Sequence, residues 1–459
     1  MAKPNFFKSA FMYTFCDMLT LFVSSFVIIP VLTKSLSQID YSTYSICINA
    51  SSLFSFLFVF GISSAVGLLY SENKDNPQNL ITNAYLVQLL ISLFFVLILF
   101  LLRKKVWGLL APTLEINRLF YYAILIGFLS FSQNCLGIIF RYEQKAISFS
   151  ILQIITVVLN LSFIGLYLFK NDKTVENALR IVLCTNFFTS IISYVYIFIK
   201  YFDIHLFNID IIRSLLKSCI PFLISFILYF FSNKIFLIMI QKYALTIDVG
   251  IFNLSFQYAN LLIIVSNTVM KVVSPIIYQQ KKDNEWKNRI DFFAKFLPFL
   301  YISILLLLLF FSHFFISVFA NESYFNKSVI CLLLLGSYFN NVAAIDNQIV
   351  LSYKHFSYSN ICSFLSALLT VILSILFIKN YGVIGAGLAY CISQFVNFIS
   401  NYIFAWRSKG SKLPIALPCL LSLPLIIVFI NKSYILCGLF LGFLAYTIYL
   451  LKRSLYILK

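Results

Sequence analysis

The stretch Tyr85-Leu-Val-Gln-Leu-Leu-Ile-Ser-Leu-Phe-Phe-Val-Leu-Ile-Leu-Phe-Leu-Leu102 carries no charge, and the run Arg103-Lys-Lys105 closes it. A bilayer core about 30 Å thick is crossed by about 20 apolar residues in helical form, so this segment reads as a membrane span. Segments of the same kind follow one another from Phe11 to Leu451, about fourteen in all, with no room for a soluble domain between them. Their approximate positions are 11–32, 44–70, 80–102, 118–140, 147–169, 178–200, 217–241, 249–273, 293–317, 328–350, 358–378, 383–405, 414–430 and 434–451. The expected fold is therefore all-α and polytopic.

Composition agrees. The chain of 459 residues is 61% hydrophobic and 11% charged, outside the range of a soluble helical protein, whose helices would need charged faces. A formal charge of +18 invites a nucleic-acid reading, but the Lys and Arg lie in short loops rather than in one patch, so no nucleic-acid partner is expected. Loops on the N-terminal side carry about 20 basic residues and the opposite loops about 12, which places both termini in the cytoplasm by the positive-inside rule. The triplet Arg103, Lys104 and Lys105 runs against that bias. No small-residue cleavage pattern follows the first span, which reads as a retained helix. The ten Cys fall within or beside spans without C-x-x-C pairs or His partners, and read as packed small hydrophobes; no metal or cofactor is expected.

The chain repeats itself at an offset of about 208 residues. Lys34-Ser-Leu-Ser-Gln-Ile-Asp40 aligns with Lys242-Tyr-Ala-Leu-Thr-Ile-Asp248, and Lys170-Asn171 with Lys379-Asn380. The expectation is two six-helix bundles, 1–205 and 206–410, followed by two additional helices in 411–459. An even number of helices per half makes the repeats parallel, an arrangement of transporters with the substrate path between the halves.

Polar residues inside the spans mark where such a path would run. Asn253, Gln257, Asn260, Asn267 and Lys271 recur at helical spacing and form one stripe on span 8. Lipid cannot satisfy amides, so the stripe must face protein or a water-filled cavity, and its extent favours the cavity. Gln394 and Asn397 on span 12, Asn134 and Arg141 on span 4, and Asn49 with Ser45 and Ser52 on span 2 echo it. Side-chain amides and hydroxyls both donate and accept, which suits a ligand rich in hydroxyls. Lys234 lies well inside span 7, either as a binder of an anionic group or snorkelling outward. Asp17, about two turns into span 1, is the candidate for a coupling proton or Na⁺, unless it pairs with a neighbouring cation. Arg141, Lys271 and Asp346 lie near cytoplasmic ends, where snorkelling is the default.

Several motifs bear a resemblance. Ile29-Pro30-Val-Leu-Thr33 followed by Tyr41-Ser-Thr-Tyr44 resembles the first hairpin of the polysaccharide biosynthesis proteins. These are the O-antigen (Wzx-type) repeat-unit flippases of the multidrug/oligosaccharidyl-lipid/polysaccharide exporter superfamily. Lys217-Ser-Cys-Ile-Pro221, Asp248-Val-Gly-Ile-Phe252 with Ser274-Pro275, and Tyr381-Gly-Val-Ile-Gly385-Ala-Gly387-Leu-Ala389 are similar to that family's second half. The resemblance implies a V-shaped pair of bundles in the bacterial inner membrane. It would flip an undecaprenyl-diphosphate-linked oligosaccharide to the outer leaflet, with a polysaccharide polymerase and a chain-length regulator as possible partners. Where relatives often carry an acidic-basic pair on span 7, this chain has Asn233-Lys234. On that reading Arg141, Lys271 and Lys234 would hold the diphosphate while the lipid tail stays among the membrane lipids. Two rivals stand beside it. A multidrug or other small-molecule antiporter would want deep carboxylates, which are scarce. A glycan polymerase would want a large external loop, which is missing.

Overall fold

The computed structural model describes residues 22–70, 77–114, 118–143, 145–169, 173–203, 206–278, 284–353 and 355–409, with a few isolated positions before residue 22. Among these residues there is no strand. A π-helical turn at Ser24–Ile28 leads into α1 (Ile29–Ser35), whose first turn holds Pro30, the position at which a missing N–H does no harm. Then follow α2 (Gln38–Val59), α3 (Ile62–Tyr70), α4 (Pro77–Leu101), α5 (Arg103–Leu110), α6 (Arg118–Tyr142), α7 (Ala146–Leu168) and α8 (Val175–Tyr201). The second part of the chain contains α9 (Ile209–Asn233), α10 (Ile235–Tyr243), α11 (Thr246–Tyr278), α12 (Asn284–Phe319), α13 (Lys327–Ser352) and α14 (Phe356–Lys409).

Nine of these helices are long and apolar enough to cross a membrane: α2, α4, α7, α8, α9, α11, α12, α13 and α14. The protein is thus a polytopic helical membrane protein. At 54 residues, α14 joins the expected spans 11 and 12 through a sharp turn at Gly382, whose φ of 56° is left-handed and open to glycine. Spans 1 and 4 correspond to α1 with the turn before it and to α6, and spans 13 and 14 lie outside the described residues.

The starts of the helices are written locally. Ser37 Oγ accepts from the Asp40 amide at 3.1 Å, Thr174 Oγ1 from Asn177 at 3.3 Å and Asn326 Oδ1 from Val329 at 3.1 Å, capping α2, α8 and α13. Hydroxyls inside α2 turn back on their own helix: Ser42, Ser45 and Ser52 donate to the carbonyls of Gln38, Tyr41 and Ile48. That is how a span rich in serine avoids exposing unpaired donors to lipid. Breaks within spans fall away from proline. Span 2 divides at Phe60 and Gly61, with φ of 48° and 76°, and span 7 divides at Lys234. The 208-residue offset recurs in the boundaries: α1 ends at Ser35 and α10 at Tyr243, while α2 begins at Gln38 and α11 at Thr246.

The chain forms two compact units, Met1–Phe230 and Phe231–Lys459. In the first, Leu136, Ile139 and Phe140 of α6 pack with Phe149 and Leu152 of α7, Ile197 and Tyr201 of α8, and Ile81 and Tyr85 of α4. A neighbouring cluster joins Ile62, Ala65, Val66 and Leu69 of α3 to Leu80, Ala84 and Val87 of α4 and to Leu215 and Cys219 of α9. Beyond the end of α6, Glu143 lies 2.5 Å from Lys145 Nζ and 3.5 Å from Lys200 Nζ. Burial opposes ionisation of Glu143, but Lys145, the Tyr201 hydroxyl and Lys200 outweigh it and hold the carboxyl below its usual range. In the second unit α13 is the central helix, with Leu333, Leu334, Tyr338, Phe339 and Ile349 wholly buried against α11, α12 and α14.

Candidate functional site

The rotation of α11 decides whether its polar stripe is a packing surface or an open one. Tyr258 donates from its hydroxyl to the Leu308 carbonyl of α12 at 2.6 Å, and Asn341 Nδ2 of α13 donates to the Leu262 carbonyl at 3.2 Å. These bonds turn Leu254, Phe256, Tyr258, Ala259 and Leu262 into the unit, where all are buried. The opposite face carries the amides: Asn253, Gln257 and Asn260 are half-buried and Asn267 is exposed. Within the second unit, the stripe read from the sequence is therefore the face that packing leaves open.

Lys234 stands at the break between α9 and α10, half-buried, with its ammonium 5.9 Å from the centre of the Phe256 ring. Phe256 belongs to an aromatic group with Phe236, Phe252 and Tyr390, whose ring centres lie 5.4–6.0 Å apart. A cation over an aromatic face is stabilised by the ring quadrupole. Lys234 thus meets α11 beside Phe256, the sequence neighbour of Gln257, rather than on the amide face itself.

Span 12 behaves differently. Gln394 is 1% exposed, Asn397 Nδ2 donates to its Oε1 at 3.4 Å, and Asn401 Nδ2 donates to the Asn397 side chain at 2.9 Å. This ladder runs along one helix, with Asn397 half-buried and, among the described residues, no partner for the buried Asn401 Oδ1. Asn49 of α2 is likewise buried inside the first unit, at 5% exposure. Asn134 and Arg141 sit on α6 and Lys271 on α11, but their side chains lie outside the described residues, as does Asp17 altogether.

One carboxylate departs from its expected setting. Asp346 of α13 is not extended to an aqueous boundary; it is 5% exposed, and among the described residues its Oδ2 has no hydrogen-bond partner. Asp346 lies only six residues before α13 ends at Ser352, so it is the packing of α13 along α14, not depth within the helix, that covers it. The signal available in the sequence was the polar run Asn340-Asn341 and Asp346-Asn-Gln348 within one span, which helical spacing could have flagged.

The chain belongs to the polysaccharide biosynthesis protein family, whose model matches residues 6–281. Its fold is similar to that of the lipid II flippase MurJ in its inward closed conformation, with a TM-score of 0.73 at 17% identity over 99% of this chain and 100% of the other. It is also similar to the inward-facing conformation of a multidrug resistance MATE family transporter of the MOP superfamily, with a TM-score of 0.65 at 15% identity over 92% of this chain and 99% of that one. The Vibrio cholerae MATE transporter VcmN in its bent form follows, with a TM-score of 0.59 at 12% identity over 89% of this chain and 98% of that one. No curated protein sequence matches the chain.

Proposed function

We propose that the protein is a flippase carrying an undecaprenyl-diphosphate-linked oligosaccharide repeat unit from the cytoplasmic to the outer leaflet of the bacterial inner membrane. Residues 1–205 and 206–410 form its alternating halves, 411–459 add two helices, and both termini are cytoplasmic. The observation that carries this reading is the open amide face of α11, with Asn253, Gln257, Asn260 and Asn267 on one side of a membrane-crossing helix. Moving a sugar head group through hydrocarbon strands each hydroxyl at about 4–8 kcal/mol, and a wet, amide-lined route removes most of that barrier. Asn49, Asn134, Gln394 and Asn397 extend the polar lining. Lys234, Lys271 and Arg141 hold the diphosphate. The test is lipid analysis of a deletion strain. Complete repeat units confined to the cytoplasmic leaflet are expected, whereas flipped but unpolymerised units would assign the chain to polymerisation instead.

A second reading rests on Asp346. A buried carboxylate with one oxygen unpartnered among the described residues suits a bound proton or Na⁺, and it adds a second coupling candidate to Asp17. On this reading the chain is a cation-coupled antiporter of small molecules. Asp346→Asn, close in volume, is expected to accumulate normally and to raise the unfolding midpoint, because it removes a buried unpaired acid. In proteoliposomes it is expected to uncouple transport from an imposed pH or Na⁺ gradient. Unaltered gradient dependence would remove Asp346 from coupling. Drug sensitivity of the deletion strain with normal surface glycan would favour the antiporter over the flippase.

A further inference from the structure

The short helix α5 is anchored on one side and open on the other. Trp107 is 0% exposed and meets the Phe120 ring edge-on at 5.6 Å, and Phe120 in turn meets Phe54 at 6.1 Å. Leu110 and Ala111 are buried with it. The outward side carries Lys104, Lys105 and Leu109, with Leu109 73% exposed and open space around Gly108. Arg103 lies between these faces, its guanidinium over the Phe100 ring at 5.1 Å and donating to the Tyr121 hydroxyl at 3.2 Å.

The basic triplet continues into a wider rim. Arg118 and Arg180 both approach Glu176 at 3.6 Å, and Arg180 Nε donates to the Tyr122 hydroxyl at 2.9 Å. Among the described residues 103–114, 118–122 and 173–180, Arg103, Lys104, Lys105, Arg118, Lys173 and Arg180 are basic and Glu176 alone is acidic. Directly beneath the triplet runs the apolar outer side of α4, with Leu90, Leu93, Phe94, Leu97 and Leu101 all exposed. The apolar column belongs among acyl chains, so the cations sit at the depth of phosphates. Tyr121 and Tyr122 accompany them, as aromatic residues do at a membrane–water boundary.

We propose that this rim binds the phosphate headgroup of an anionic phospholipid resident in the leaflet at that end of the protein. Lys104 and Lys105 contact the phosphate, Arg103 is held ready by Tyr121, and the acyl chains lie along α4. This use accounts for the one basic triplet that opposes the charge bias of the loops. The surface belongs to the first unit, whereas the amide face and Lys234 belong to the second.

The test reconstitutes the full-length protein in bilayers mixing phosphatidylcholine with phosphatidylglycerol and counts the lipids retained on extraction by native mass spectrometry. Phosphatidylglycerol is expected to be enriched on the wild type. At about 1 kcal/mol per basic residue near a charged headgroup, equivalent to about fivefold each, R103Q/K104Q/K105Q should lose at least tenfold of that enrichment. K104Q/K105Q leaves the Trp107 anchor and the Arg103–Tyr121 bond intact and should still lose at least fivefold. No enrichment on the wild type, or full enrichment on K104Q/K105Q, overturns the proposal. Displacement of phosphatidylglycerol by an equimolar polyprenyl diphosphate would hand the surface to that lipid and overturn it equally.

Discussion

Lys234→Met lowers export of surface glycan by at least tenfold while the protein accumulates in the membrane at the wild-type level. Methionine keeps an unbranched aliphatic stem of similar length, so packing beside Phe256 is preserved and the positive charge alone is removed. A charge placed at a helix centre in the bilayer raises the free energy by about 3 kcal/mol, so a lysine there needs a compensating role. A hydrogen bond to a charged group contributes about 1.5–3 kcal/mol, which sets the expected loss at roughly 10- to 100-fold. Lys234→Arg should keep part of the activity because it keeps the cation, and Lys271→Ala should impair export in the same way. The readout is lipid-linked repeat unit trapped on the cytoplasmic side. Normal surface glycan in Lys234→Met, with Lys271→Ala also silent, would sink the phosphate-holding role.

Gly385→Val is expected to be the most damaging single change to the fold. A Cβ at Gly385 would fall inside van der Waals contact of the Phe377 carbonyl oxygen and carbon and 2.8 Å from the Ile378 amide. All three are backbone atoms of the same chain turning back at Gly382, so no side chain can swing aside. Overpacking typically destabilises by about 1–3 kcal/mol, and an immovable backbone puts this site at the upper end or beyond. The natural control is Gly108→Ala in α5, where nothing lies within 4 Å of the added methyl. That change should be neutral or stabilising by up to about 1 kcal/mol, since alanine loses less backbone entropy in a helix. Thermal unfolding in detergent measures both. Equal midpoints for Gly385→Val and the wild type would show that the turn at Gly382 is not held as described.

Much of the architecture was legible because its causes are local. Long uncharged runs such as Tyr85–Leu102 can satisfy their backbone in lipid only as helices, and the caps at Ser37, Thr174 and Asn326 mark where helices begin. The polar stripe of α11 was equally local, since residues three and four apart share a face whatever surrounds them. Sequence reading gave Asp346 a position near a membrane boundary and missed its burial, because depth depends on how closely α14 packs along α13. Span 2 bends at Phe60-Gly61, span 7 divides at Lys234 and span 12 turns in at Gly382.

The sequence by itself therefore determined a polytopic helical membrane protein, its 208-residue repeat and the set of amides that share a face. Those follow from hydropathy and from the 3.6-residue period, which need no knowledge of neighbours. Only the tertiary structure decided which faces are open. Bonds from Tyr258 to Leu308 and from Asn341 to Leu262 turn the amide side of α11 outward, while Gln394 and Asn401 of α14 are buried. The two bonds to α11 join residues 50 or more positions apart, and no local pattern encodes which of two polar faces will be covered.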